Sequence, residues 1–185
     1  KVNKTVVPYK KHMTWARTFE CRPQYYFQPE TIDEVISIVN TARKARKAVM
    51  TVGSGHSPSD LTMTRDWLVN LDKFNGGVAE NPSADGKYTD LTVEAGMRLY
   101  ELEALLAKKN LALQNLGSIS EQSVAGVIST GTHGSSPYHG LISQQVVDIT
   151  IVVGMGKLVK CSQKIKTGLF RAALPSLGKI GIIRY

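Results

Sequence analysis

Cysteine is scarce in this chain of 185 residues: there are two, Cys21 and Cys161, far apart and outside any C-x-x-C pair. That spacing excludes a zinc ribbon and a dithiol redox motif, and it predicts reduced thiols in an intracellular protein. Long apolar runs are missing as well. No stretch reaches the 18 residues that a spanning helix needs. The N-terminal "KVNKTVVPYKKHMTWAR" is basic and has no apolar core, so it does not read as a signal peptide. Three familiar chemical motifs are also absent. No G-x-x-x-x-G-K-[ST] loop is present, the G-x-G of Gly53 and Gly55 runs into Pro58 rather than a third glycine, and no G-x-S-x-G elbow offers a serine nucleophile.

The remaining composition is that of a globular domain, with 42% hydrophobic and 21% charged residues. The net charge of +8 raises the question of nucleic acid or an acidic surface. The basic residues are scattered, however. Lys1, Lys4, Lys10, Lys11 and Arg17 decorate the N-terminus, while Arg43, Lys44, Arg46 and Lys47 crowd the end of one predicted helix, where cations suit the helix dipole. With no recognition helix or aromatic RNA-binding motif, a solvated basic face is the better reading, and no nucleic-acid partner is expected.

"PETIDEVISIVNTARKARKA" predicts a helix opened by a Thr31/Glu34 capping box, with Ile32, Val35, Ile36, Val39 and Ala42 at helical spacing. "VMTV" predicts a short strand, and "WLVNL" and "DLTVEAG" two more, joined by a loop or hairpin through "NGGVAENPSADGK". "MRLYELEALLAKKN" predicts a second helix with Leu99, Leu102, Leu105 and Leu106 inward and Asn110 as its stop. "VVDITIVV" and "LVKC" predict a hairpin, "GLFRAAL" a short helix and "IGII" a last strand. The mixture predicts an α+β domain. We divide it into an N-terminal segment 1–20 and a domain 21–185, with subdomains of about 21–75 and 88–185.

Two segments rich in small residues remain. The first is "GSGHSPS", where successive backbone amides and serine hydroxyls can cradle an anion and one histidine, His56, stands among them. A tight turn with a surface histidine is the competing reading. The second, "NLGSISEQSVAGVISTGTHGSSPYHGLIS", is glycine- and serine-rich like a linker, yet it carries Val124, Ala125, Val127 and Ile128, which a linker does not need. Its backbone is therefore expected to pack while many small donors stay free, as suits an extended, phosphate-bearing ligand. A metal site from His56, His133 and His139 matches no ligand spacing.

Together with "TVGSGHSPSD" and "LGKIGII", this second segment resembles the FAD-binding domain of the vanillyl-alcohol oxidase / p-cresol methylhydroxylase family. Within that family it is most similar to the aldonolactone branch, the fungal D-arabinono-1,4-lactone oxidases. The resemblance runs from "YFQPETIDEV" to "GKIGII". It implies the PCMH-type fold, two α+β subdomains with FAD between them. It implies that Val52, Gly53, Ser54, Gly55, Ser57, Pro58 and Ser59 wrap the FAD pyrophosphate, and that a neutral imidazole nitrogen of His56 bonds covalently to the flavin 8α-methyl. Gly117, Ser118, Ser120, Ser123, Val124, Gly126, Thr130, His133 and Gly134 would line the flavin and its phosphates, and Ile180, Gly181, Ile182 and Ile183 would contact FAD late in the domain.

The implied reaction is hydride transfer from lactone C2 to flavin N5 and reoxidation by O2, giving the dehydrolactone, equivalent to D-erythroascorbate, and H2O2. Gly117, in "LGS", stands where the dehydrogenase branch has alanine, and the open space implies access for O2. Family members continue into a cap domain that positions the sugar lactone and ends in an H-W-x-K motif. None of that is in this sequence, so the chain reads as a fragment or processed chain, inactive alone and completed by its cap domain or a second chain. A non-catalytic flavin module acting through a partner, and an alditol- or gulonolactone-type oxidase domain, remain the alternatives. Mitochondrial membrane association is expected from the resemblance only.

Overall fold

A computed structural model of the protein describes residues 6–185, without the side chain of Val78; Lys1 and Lys4 of the basic N-terminus lie outside the described residues. The chain opens with strands β1 (Val6–Pro8), β2 (His12–Met13), β3 (Glu20–Cys21) and β4 (Tyr25–Phe27). Helix α1 (Ile32–Lys44) follows from its capping box: Glu34 N–H donates to Thr31 Oγ1 at 3.3 Å, and the Glu34 carboxylate accepts from the amides of Thr31 and Glu30. It buries Val35, Ile38, Val39 and Ala42. The helix ends short of the predicted Ala48 because Arg46 takes a left-handed φ of 53° and turns the chain into β5 (Val49–Val52).

β5 pairs in parallel with β6 (Trp67–Asn70), and β6 in parallel with β4, while β1 adds an antiparallel edge. The sheet order is β1-β4-β6-β5, so residues before position 20 extend the first sheet. Alternation along β6 divides its faces: Trp67 and Val69 enter the main core, and Leu68 packs with Tyr26 and Val52 on the other side.

β7 (Val78–Pro82) and β8 (Thr89–Val93) form a separate hairpin where a connection was expected, so "DLTVEAG" pairs with its own neighbour and not with the first sheet. Helix α2 (Leu99–Ala107) buries Leu99, Leu102 and Leu106 and leaves Leu105 half-buried. The long segment contains a helix that no periodicity announced, α3 (Val124–Ser129), with Ala125, Val127 and Ile128 buried. β9 (Asp148–Val152), β10 (Leu158–Ser162) and β11 (Ile182–Ile183) build a second, antiparallel sheet in the order β10-β9-β11, with helix α4 (Thr167–Ala173) between the last two strands.

One continuous core joins both sheets. Phe27, Trp67 and Val69 from the first meet Ile149, Ile151 and Ile183 from the second, with α1 and α3 between. Gly96 lies where the halves meet: its N–H donates to Phe74 O at 2.9 Å, and a Cβ there would overlap the Leu71 carbonyl oxygen. No helix among the described residues is long and apolar enough to cross a membrane.

Candidate functional site

The loop 53–59 leaves β5 at the C-terminal end of the parallel strands, the edge at which open sheets with parallel strands hold ligands. It borders a cleft that opens to solvent. Val52, Gly53, Ser54, Gly55, His56 and Ser57 form one wall. Ser123, Gly126 and Thr130 around α3 form the second, and Gly181 and Ile183 the third, with apolar floor from Leu71 and Ala125. Pro58 and Ser59 line an adjoining hollow that shares His56, Ser57 and Thr130. Three stretches separated by tens of residues thus converge.

The loop closes tightly on α3. A Cβ on Gly53 would overlap Ser123 Oγ, so only glycine permits the approach without moving that side chain. Gly55 has φ +72°, turning the chain at the histidine. Among the described residues, none of the amides of Gly53, Ser54, Gly55, His56 or Ser57 donates a hydrogen bond to a protein group. Five successive free donors make an anion-binding concavity. His56 Nδ1 is sealed from solvent and likewise has no partner among the described residues. A buried polar atom without a protein partner costs about 1–3 kcal/mol unless water, an ion, a ligand or a bond satisfies it.

Not every expected site residue reaches the cleft. Gly117 packs on the Thr132 side chain, 2.8 Å from a Cβ placed there, and Thr132 in turn accepts from Gln122 at the cleft wall. Gly134 lies against the Leu116 carbonyl. Ser118 is exposed, and Ser120 accepts through its carbonyl from Tyr100 N–H. Val124 is half-buried between two core clusters, and its N–H donates to Met97 O. His133 is exposed, with its ring bonded back to the Gly134 carbonyl, 2.8 Å from Nδ1. Ile180 and Ile182 face the core. These eight residues stand behind the walls and do not line the space.

Other lining residues are not among the expected site residues, although Thr51, Leu177 and Gly178 fall within the motifs "TVGSGHSPSD" and "LGKIGII". Thr51, Thr62, Gln122, Leu177 and Gly178 reach the cleft. Gln122 is legible only as the neighbour of Ser123. Leu177 and Gly178 both have positive φ, 53° and 71°, and a Cβ on Gly178 would come within 3.0 Å of Thr51 Oγ1, which brings this distant turn against β5.

Comparison with known proteins agrees with this arrangement. A family described as FAD binding domain matches residues 23–162, which include the loop, α3 and most of both sheets. The chain is similar to the D-arabinono-1,4-lactone oxidase of Yarrowia lipolytica, 59% identical over 181 residues, covering 98% of this chain and 34% of that protein. It is similar to the protein of the same name from Saccharomyces cerevisiae, 52% identical over 182 residues, covering 97% of this chain and 35% of that one. The chain therefore spans about a third of the length of these curated relatives. Among solved structures, cholesterol oxidase from B. sterolicum superposes with a TM-score of 0.83 at 20% identity, over 97% of this chain and 36% of its own. Chitooligosaccharide oxidase does so with 0.75 at 22% identity, over 88% and 34%. At such identities the structural likeness speaks for the fold, and the expected α+β class is the one observed.

Proposed function

This chain belongs to the FAD binding domain family, and on that premise we propose that it is the flavin-holding portion of a sugar-lactone oxidase acting on D-arabinono-1,4-lactone. The observation that carries the reading is the cleft bordered by residues 52–57, where five successive amides have no protein partner among the described residues. The amides of residues 53–57 bind the FAD pyrophosphate without a bulky cation. The apolar floor of Leu71, Ala125 and Ile183 takes the flat ring system. His56 is the residue we assign to the covalent bond, with Nδ1 as the bonding nitrogen. FAD held there would supply two-electron redox chemistry, with lactone C2 as the hydride donor and O2 as the final acceptor, released as H2O2. Gly117 stands behind the wall, so its effect on O2 access runs through Thr132 and the hydrogen bond Thr132 accepts from the cleft residue Gln122. Selection of the lactone belongs to the two thirds of the relatives' length that this chain does not span.

Acid precipitation of the full-length protein tests the assignment. The yellow colour is expected to stay with the pellet in the wild type and to move to the supernatant in His56→Ala. Flavin released from the wild type by acid would overturn the covalent bond, and H2O2 release with no dependence on the lactone would overturn the substrate.

A further inference from the structure

The N-terminal hairpin of β2 and β3 takes no part in the cleft wall, yet it is clamped to the back of the His56 loop. Trp15, at the tip of this hairpin, donates its N–H to the Gly55 carbonyl at 2.8 Å. Thr18 Oγ1 donates to the Pro58 carbonyl at 3.4 Å. His12 Nε2 and Thr62 Oγ1 share a hydrogen bond of 3.0 Å, and Thr62 is itself a cleft residue. The Trp15 indole stacks on the His56 imidazole, with ring centroids 5.4 Å apart and planes 25° from parallel.

We propose that Trp15 is a positioning residue for His56, fixing the plane of the imidazole so that its nitrogen is presented for bonding. The inference rests on the reading of His56 as the flavin attachment point. A histidine in a loop of small residues has few neighbours to restrict its rotamer, and side chains that must react need their rotamers locked by packing. Here the indole provides that restraint, and its backbone bond to Gly55 ties it to the same loop. Trp15 is 70% exposed, so its ring is not held there by burial in the core. An exposed indole on an imidazole is a specific contact and not a filler of space. The bonding step replaces one C–H of the flavin 8α-methyl and the N–H of neutral imidazole by one N–C bond. Two protons go to solvent and two electrons go to O2, the oxidant of the proposed reaction. Trp15 touches none of the reacting atoms and acts through the orientation of the ring.

Two measurements on the full-length protein test this. The first needs no flavin. In apoprotein, His56→Ala is expected to change the indole emission of the wild type and to leave that of Trp15→Phe/His56→Ala identical to Trp15→Phe. The second follows covalent flavin in acid pellets after FAD is added to apoprotein. Trp15→Ala is expected to slow incorporation about three- to tenfold, the kinetic equivalent of one aromatic pair, while FAD affinity before bonding stays unchanged. Trp15→Phe is expected to restore most of the rate. An emission cycle with no coupling, or equal incorporation rates in wild type and Trp15→Ala, would overturn the role of Trp15 while leaving His56 assigned. A wild type that never forms acid-stable flavin would overturn both.

Discussion

The two segments rich in small residues look alike as text and differ in what the fold does with them. The loop 53–59 ends a buried parallel strand and leaves five successive amides unpaired, while Gly53 lets it close on Ser123 and Gly55 turns it against the N-terminal hairpin. The segment 115–143 largely satisfies itself. It forms α3, bridges His133 to Leu141, and ties Asn115 to the Gly140 carbonyl and to Gln145. Its glycines serve close packing, Gly117 against the Thr132 side chain and Gly134 against the Leu116 carbonyl. Small residues thus permit close approach in both segments, and the segments differ in whether the backbone amides find protein partners.

Substitutions that add one methyl group to each segment test this difference. The largest effect is expected from Gly134→Ala, whose Cβ would come 2.5 Å from the Leu116 carbonyl oxygen, backbone that cannot swing away. A loss of about 1–3 kcal/mol in urea unfolding is expected, typical of overpacking. Gly53→Ala meets instead a serine hydroxyl that can rotate, so stability should change less. FAD affinity should fall about tenfold, equivalent to ~1.4 kcal/mol, by titration of the apoprotein. If Gly134→Ala lost FAD while keeping its stability, the division between the segments would fail. Gly117→Ala comes next: its methyl pushes Thr132, and reoxidation by O2 should slow a few-fold relative to an artificial acceptor, as stopped-flow absorbance would show.

The smallest effect belongs to the clamp behind the loop. Burial lowers the pKa of His12 below its ordinary 6.5. The unfolded chain then takes up a proton near pH 6.5 while the folded chain resists until lower pH, so stability is full above 6.5 and declines as pH falls below it. The hairpin amides should show lower protection factors at pH 5.5 than at 7.5, once the intrinsic pH dependence of exchange is divided out, and His12→Asn should remove that difference. Equal pH dependence in the variant would mean that His12 is not the group responsible.

Much of the architecture was legible. Helix α1 came with a capping box and an apolar stripe, and β5, β6, β9 and β10 came as β-branched runs bounded by turn residues. Strands β1 to β4 escaped because two- and three-residue strands have no period to detect, and α3 escaped because six residues make less than two turns. At the site, the whole run from Val52 to Ser59 borders the two hollows, whereas of the site residues expected in the second segment only Ser123, Gly126 and Thr130 do.

By itself, then, the sequence determined the longer elements, the small-residue loop after β5 and the presence of one imidazole within it, because these depend on residues close together in the chain. Only the tertiary structure decided what each glycine packs against, and that Trp15, 41 positions away, lies on His56. Such contacts are set by how sheets and hairpins pack, and a glycine or an indole carries the same local signature on either side of a wall.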